Sequence, residues 1–296
     1  VSPLTAKPVL HGRDHCPGGA DPIPCLPAAP GATYAEIILA EPCLVGYWPL
    51  NESSGDAADL SGHGYTLTKK GTPTYSLAGP FASEPAQTAV HFDYTGTETG
   101  AVIPAEDAFY SSDGALDGYV TSPTGLSVEA WVYPTANPAI YGGIMQSVNG
   151  GRTNTAYVLQ HRSDGEIWWQ AGDSIVVDPN IALTLNAWTH IVGTTSTTAG
   201  TRLYLNGALV GTPGSNFTPV NIGAHFAVAA LMNSSSQVRH FVGRIAQCAL
   251  YSCALTAAQV LAHYEGSTGG TADGAVLTSD GAGGTSWTFP MIEVDY

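Results

Sequence analysis

The sequence predicts an all-β fold: an antiparallel jelly-roll β-sandwich with one short helix, flanked by an extended N-terminal arm and a Gly/Ser/Thr-rich C-terminal tail. Three observations lead there. From Leu44 onward, apolar or alternating runs of strand length recur between turn-forming residues. Only 11% of the 296 residues are charged while Gly (35) and Pro (20) are abundant, which leaves little material for solvent-exposed helices. The hydrophobic fraction, 44%, suffices for a large core.

Residues 1–35 carry seven prolines and no clear period. Such a stretch cannot bury a core of its own, so 1–43 is assigned as an arm that attaches to something else. Over 44–266 the runs VGYWPL, AVHFDY, LSVEAWVYP, AYVLQHR, EIWWQA, WTHIVGTT, RLYLNGALVG, HFAVAAL and HFVGRIAQCALY read as strands of one sandwich. Asn206-Gly207 marks a tight hairpin, because both central positions of a type I′ turn favour positive φ. Ser163-Asp164-Gly165 marks a second, with Gly165 at the left-handed position. Thr256 followed by AAQVLAHY predicts a helix, with Thr256 as N-cap, Gln259 completing a capping box and Gly266 as the stop. Residues 267–296 return to Gly, Ser and Thr and are assigned as an extended tail.

Nine Lys and Arg against 24 Asp and Glu give a formal charge of −15. Counterion release from a nucleic-acid backbone cannot drive binding of such a chain, so nucleic acid and anionic membranes are not expected partners. No apolar run approaches a membrane span, and VSPLTAKPVL lacks the apolar core of a signal peptide. Of five cysteines, Cys16 with Cys25 and Cys248 with Cys253 are close enough in sequence to pair. A reducing compartment would leave all five as small buried apolar groups.

The order of the blocks carries a resemblance. LVGYWPLNESSGDAADLSGHGYTLT resembles the opening of the laminin-G-like, concanavalin-A-like jelly-roll family. LSVEAWVYP, NAWTHIVGT, RLYLNGALVG and FVGRIAQCALYSCALTAAQVLAHY resemble its later blocks, in the family's order, over roughly Leu44–Gly266. The resemblance implies a lectin-like sandwich. One departure stands out: where many members carry an acidic residue after Gly-Arg, this chain reads Ile245-Ala246-Gln247-Cys248. The flanks resemble something else. HGRDHCPGGADPIP is similar to an element of phage tail and surface proteins, and VLTSDGAGGTSWT is similar to short strand segments of phage fibres. Together they imply a virion surface protein, assembled in the host cytoplasm and joined to other virion proteins through the arm. His11, Asp14, His15, Gly18, Gly19, Asp21 and Pro22 are then the attachment residues. A homo-oligomer, taken as a trimer, is expected because arm and tail need partners to bury their apolar residues.

Glycoside hydrolysis needs two carboxylates projecting from one face about 5–5.5 Å apart for retention. No Glu-x-Asp-x-x-Glu occurs, and Glu129 and Glu166 each stand alone in their strands. Gly-x-Ser-x-Gly and His-Glu-x-x-His are absent as well, so a non-enzymatic protein is expected. His190 reads as a packed core histidine, and Trp48, Trp131 and Trp188 as structural.

Sugar binding needs an aromatic ring for the apolar face of a pyranose and polar groups for its hydroxyl rim. By the strand period of two, Trp168 shares a face with Glu166 and should meet water, while Trp169 shares a face with Ile167 and should point inward. Trp168, Arg162 and Tyr157 are therefore the candidate carbohydrate-binding residues, although burial of both tryptophans is the ordinary alternative. The loop Asp59-Leu60-Ser61-Gly62-His63-Gly64 offers oxygen ligands of the kind calcium prefers, with Asp59, Gly62 and His63 as the candidate metal site and Asp93 as a second carboxylate. The competing reading is an Asx-turn, in which Asp59 caps its own loop. His11 and His15 could ring a threefold axis and hold a metal, or simply hydrogen-bond to a neighbour. Host-glycan adhesion from a phage tail leads the readings for the sandwich, followed by capsid decoration, a secreted carbohydrate-binding module and, last, an enzyme.

Overall fold

The computed structural model describes residues 32–93, 107–111, 124–149, 154–219, 226–233, 236–267, 276–279 and 285–288. The attachment residues proposed between His11 and Pro22 lie outside these, as do Cys16 and Cys25. Two antiparallel sheets make up the body. The eight-stranded sheet runs β13 (Ala208–Gly214), β12 (Gly200–Leu205), β11 (Thr189–Ser196), β6 (Gly125–Pro134), β17 (Gly243–Tyr251), β4 (Ala89–Phe92) and β3 (Thr74–Leu77), with β1 (Leu44–Trp48) also pairing β17. The seven-stranded sheet runs β10 (Ile175–Val177), β9 (Ile167–Ala171), β8 (Asn154–Arg162), β7 (Tyr141–Asn149), β14 (Phe226–Val228), β5 (Ala108–Tyr110) and β2 (Thr68–Lys70). Two separate hairpins, β15 (Leu231–Asn233) with β16 (Ser236–Val238) and β18 (Val276–Ser279) with β19 (Thr285–Thr288), complete the strands.

The core between the sheets is built by alternate residues of facing strands. Cross-strand neighbours Phe109, Val228, Met145, Leu159, Trp169 and Val177 of the seven-stranded sheet all point into it. Trp48 of one sheet stacks on Phe226 of the other with centroids 4.9 Å apart. The Trp169 ring lies against Gly193 of β11 so closely that a Cβ there would sit 2.4 Å from it, and its indole N–H donates to the Thr194 carbonyl at 2.9 Å. Only glycine permits that approach.

Both predicted hairpins form. Asn206 (φ 49) and Gly207 (φ 77) turn β12 into β13, with Leu205 opposite Ala208, and Gly165 (φ 88) turns β8 into β9. The predicted helix, Ala257–Ser267, starts as expected: the Gln259 amide donates to Thr256 Oγ1 at 3.2 Å, and the Thr256 amide donates to Gln259 Oε1 at 3.0 Å. Gly266 is not its stop. A Cβ at Gly266 would sit 2.0 Å from Ile37 Cδ1, so this glycine is a point of close helix contact.

That neighbour is a second helix. Tyr34–Leu39, α1, begins in the stretch assigned to the extended arm, making the eleven-residue helix α2. Thr33 caps α1 in a full capping box with Glu36, and Tyr34, Ile37 and Ile38 are buried. The folded body therefore begins at least ten residues before Leu44. A disulfide joins Cys43, at the start of β1, to Cys253, just past β17, across 210 residues of sequence. This corrects the pairing of Cys248 with Cys253. Cys248 lies on β17 in the core between the sheets, on the far side from Cys253, and burial pushes its thiol well above the ordinary value. Among the described residues, no helix is long and apolar enough to cross a membrane.

Candidate functional site

Strand alternation makes the outward face of the seven-stranded sheet. In β9, Ile167, Trp169 and Ala171 are buried while Trp168 and Gln170 are half-buried on the other side. Register carries that side across the sheet: Trp168 is opposite Gln160 of β8, which is opposite Gly143 of β7. One step along, Gln170, Val158 and Gln146 form a parallel row. The expectation for the two tryptophans is therefore met in orientation.

Arg162 also reaches this face, at the end of β8. Its guanidinium lies over the Trp168 ring, 4.6 Å from the centroid. Three carboxylates hold it there: Asp164 Oδ2 on Nη2 at 2.8 Å, and Glu166 Oε2 at 2.9 Å and Asp178 Oδ2 at 3.1 Å on Nη1. Tyr141 packs beside Trp168 with centroids 5.9 Å apart, and Arg239 lies over Tyr141 at 5.0 Å. The result is a row of two adjacent rings with a guanidinium over each, held by acids at the Arg162 end. Arg162 thus covers one face of the Trp168 ring.

Tyr157 is not part of it. It pairs with Ala171 on the inward side of β8, is 1% exposed, and packs on Trp169. The assignment failed because Tyr157 and Arg162 differ by an odd number of positions, which puts them on opposite faces of one strand. Sequence reasoning also missed Tyr141, Asp178, Gln146 and Gln160. Gln160 was within reach, since it sits two residues before Arg162; Asp178 and Tyr141 arrive from other strands and leave no local signal. Gln146 and Gln160 are fully buried on the outward side, and neither amide has a hydrogen-bond partner. The indole N–H of Trp168 is likewise unpartnered.

The Asp59 loop has a different use. Asp59 Oδ1 accepts from the Tyr47 amide at 3.0 Å and the Ser61 amide at 2.9 Å, while Oδ2 accepts from Ser61 Oγ at 2.8 Å and the Tyr65 amide at 2.9 Å. His63 Nδ1 faces Ser61 Oγ at 3.1 Å. Gly62 (φ 90) only lets the loop turn. Both carboxylate oxygens are thus already saturated by protein donors, and the residues do not fit a calcium ion. Asp93 is engaged by His91 Nε2 at 2.9 Å. Among the described residues no cluster of three His, Cys, Asp or Glu side chains is arranged to hold a metal. The bulged Gln247 (φ 56), at the family's acidic position, receives the Tyr47 hydroxyl and donates to Gln87 Oε1 at 3.1 Å, a neutral substitute for a charge.

Among the described residues a second ionisable cluster lies on the outward face of the eight-stranded sheet, under α1 and α2. Glu129 is not alone. Its Oε1 accepts from Tyr34 Oη at 2.7 Å and faces His190 Nε2 at 2.7 Å; its Oε2 accepts from Tyr251 Oη at 2.7 Å and His263 Nδ1 at 2.9 Å. His263 Nε2 reaches Glu41 Oε1 at 3.0 Å. With carboxylates on both ring nitrogens, His263 is an imidazolium donating twice. Burial opposes its charge, but Glu129 and Glu41 outweigh burial and lift it to about 10. Burial likewise opposes the charge on Glu129, yet His263 and His190 hold its carboxyl well below the usual range. Burial and the Glu129 charge push the Tyr34 and Tyr251 phenols far up. Glu129 and His190 have no exposed surface, so this is a closed structural network, and His190 is the packed core histidine the sequence predicts.

A model of the Concanavalin A-like lectin/glucanases superfamily matches residues 106–261, more than half of the chain. The chain belongs to this superfamily. Solved structures with the same fold are distant in sequence. A binding domain of botulinum neurotoxin DC in complex with SialylT is 12% identical with a TM-score of 0.54, over 77% of this chain and 52% of that one. The botulinum neurotoxin serotype C1 binding domain is 13% identical with a TM-score of 0.55, over 76% and 52%. A Trypanosoma rangeli sialidase in complex with sialic acid is 11% identical with a TM-score of 0.55, over 78% and 34%. The chain thus spans about half the length of the neurotoxin domains and a third of the sialidase. No curated protein sequence matches it. Superfamily membership agrees with the later blocks, from LSVEAWVYP to the helix; the opening block from Leu44 lies outside the matched residues.

Proposed function

We propose that this chain is a non-catalytic glycan-binding protein of a phage virion surface, holding sugar against Trp168 on the outward face of the seven-stranded sheet. The observation that carries the glycan reading is the half-buried Trp168 ring surrounded by Arg162, Asp164, Glu166 and Asp178, a ring and a hydroxyl-binding rim in one place. The toxin domain and the sialidase with sialylated ligands are consistent with it, as holders of the same fold. The non-catalytic part rests on geometry. A glycosidase needs a pair of carboxyl groups free to act on the glycosidic bond, whereas all three acids beside Trp168 are engaged by one guanidinium.

Virion placement rests on the flanking HGRDHCPGGADPIP and VLTSDGAGGTSWT segments and on their resemblance to phage surface proteins. Several copies on one particle would raise weak single-site affinity by multivalency. The test is a glycan array and a cell-binding assay with the wild-type protein and Trp168→Ala. Binding by the former and loss in the latter supports the reading. Absence of binding by the assembled wild type removes adhesion and leaves decoration. Deleting residues 1–31 should leave a folded domain that no longer joins particles; normal incorporation would remove the attachment role.

A further inference from the structure

We infer that the Trp168 face, taken as the sugar-binding surface proposed above, selects neutral, hydroxyl-rich glycans and rejects acidic ones. A carboxylate on a sugar is recognised best by a free arginine fork, through two parallel charge-assisted hydrogen bonds. Arg162 has no free fork. Its two terminal nitrogens already contact Asp164, Glu166 and Asp178, and its flat face is spent on Trp168. Arg239, over Tyr141, is the other cation of the row. Among the described residues, three carboxylates contact the one guanidinium of Arg162, so acids outnumber the cation beside Trp168. The chain as a whole carries −15, so the long-range field also repels an anion.

A neutral sugar meets the opposite situation. Its hydroxyls donate as well as accept, and the acids around Arg162 retain lone pairs for donors. Such donors can reach the exposed parts of Asp164, Glu166 and Asp178, which leave 44%, 23% and 30% of their side chains in water, whereas Gln160, Gln146 and the Trp168 indole N–H are closed to solvent. A sugar hydroxyl can donate to these carboxylates, which an ionised carboxylate cannot. By contrast, two fold neighbours form complexes with acidic sugars, SialylT and sialic acid.

Paired glycans that differ only by a terminal sialic acid or a uronate, titrated against the full chain by calorimetry, decide the matter. The neutral member should bind, and its acidic counterpart should bind at least about tenfold more weakly at about 150 mM salt. The gap should widen at low salt, where screening is reduced. The double variant Glu166→Gln/Asp178→Asn, with its melting temperature checked, should narrow the gap by freeing Arg162. An acidic glycan that binds as well as its neutral partner overturns the selectivity while leaving sugar binding at Trp168 intact. Binding of neutral glycans unaffected by Trp168→Ala overturns both.

Discussion

On the outward face of the eight-stranded sheet, Glu129 is fully enclosed by two tyrosine hydroxyls and two histidines, under two helices. On the outward face of the seven-stranded sheet, Glu166 shares its arginine with two other acids and about a quarter of its side chain meets water. Both faces combine aromatic rings with carboxylates. The difference lies in what covers them. Where α1 and α2 pack, ionised groups serve to tie three segments together: Glu41 after α1, Glu129 in β6 and His263 in α2. Where no helix packs, the same residue types stay accessible to a ligand. A jelly roll of this family can thus turn one outer face into a second core and leave polar and aromatic side chains of the other only half-buried.

The largest effect that would break this contrast is loss of the Glu129 charge. Glu129→Gln leaves the buried His263 imidazolium with only Glu41, and removing one partner of a buried ion pair costs about 3–5 kcal/mol. Urea unfolding should show a loss of that order. Glu166→Gln should change stability by less than about 1 kcal/mol, as for other partly exposed ion pairs. Similar losses in the two variants would mean that the faces do not differ in kind.

A second comparison lies inside β9. Trp169→Ala empties a core site against Gly193 and should cost about 3–5 kcal/mol. Trp168→Ala removes a half-buried ring and should cost less than about 1.5 kcal/mol while abolishing glycan binding. Reversed costs would show that the wrong face of the strand has been assigned.

How much of this was legible follows from sequence distance. The two tryptophans were assigned correctly because alternation along one strand is local, and the Asn206-Gly207 turn and the Thr256 cap were legible for the same reason. Tyr157 was misplaced by choosing residues for their chemistry without counting parity along β8. Helix α1 was missed because six residues beside a proline-rich stretch give too short a period to notice. The Glu129 cluster could not be read at all: its partners lie 61, 95, 122 and 134 residues away in the chain. Only the closure of the sheet and the docking of both helices bring them together. Cys43 with Cys253 is the same case, over 210 residues.

The closed network also sets a pH dependence. His263 titrates at about 10 in the folded protein against an ordinary value of 6.5. Its contribution is therefore complete below about pH 6.5 and is lost as the pH rises through about 10. Glu129, held below its ordinary value, contributes above that value and loses its contribution as the pH falls. Stability measured by denaturant should decline from neutral pH toward pH 10, and His263→Gln should flatten that decline. An alkaline slope unchanged in the variant would assign it to other groups.

The smallest expected effect is none, and it concerns calcium. If the Asp59 loop bound the ion in the native state alone, calcium at a hundred times its dissociation constant would add about 2.7 kcal/mol, several degrees in melting temperature. Asp59 instead gives all its acceptor capacity to the amides of Tyr47, Ser61 and Tyr65 and to the Ser61 hydroxyl. An ion would have to displace those donors and leave buried N–H groups unpaired. Melting curves in EDTA and in excess calcium should therefore coincide. Asp59→Ala should lower stability by about 1–3 kcal/mol in both solutions, because it leaves the same amides without an acceptor. The sharper readout is the interaction between the two changes. A calcium-dependent rise in the wild type that disappears in Asp59→Ala would make the loop a metal site; a constant difference between the two proteins, with and without calcium, makes it a turn held by its own carboxylate.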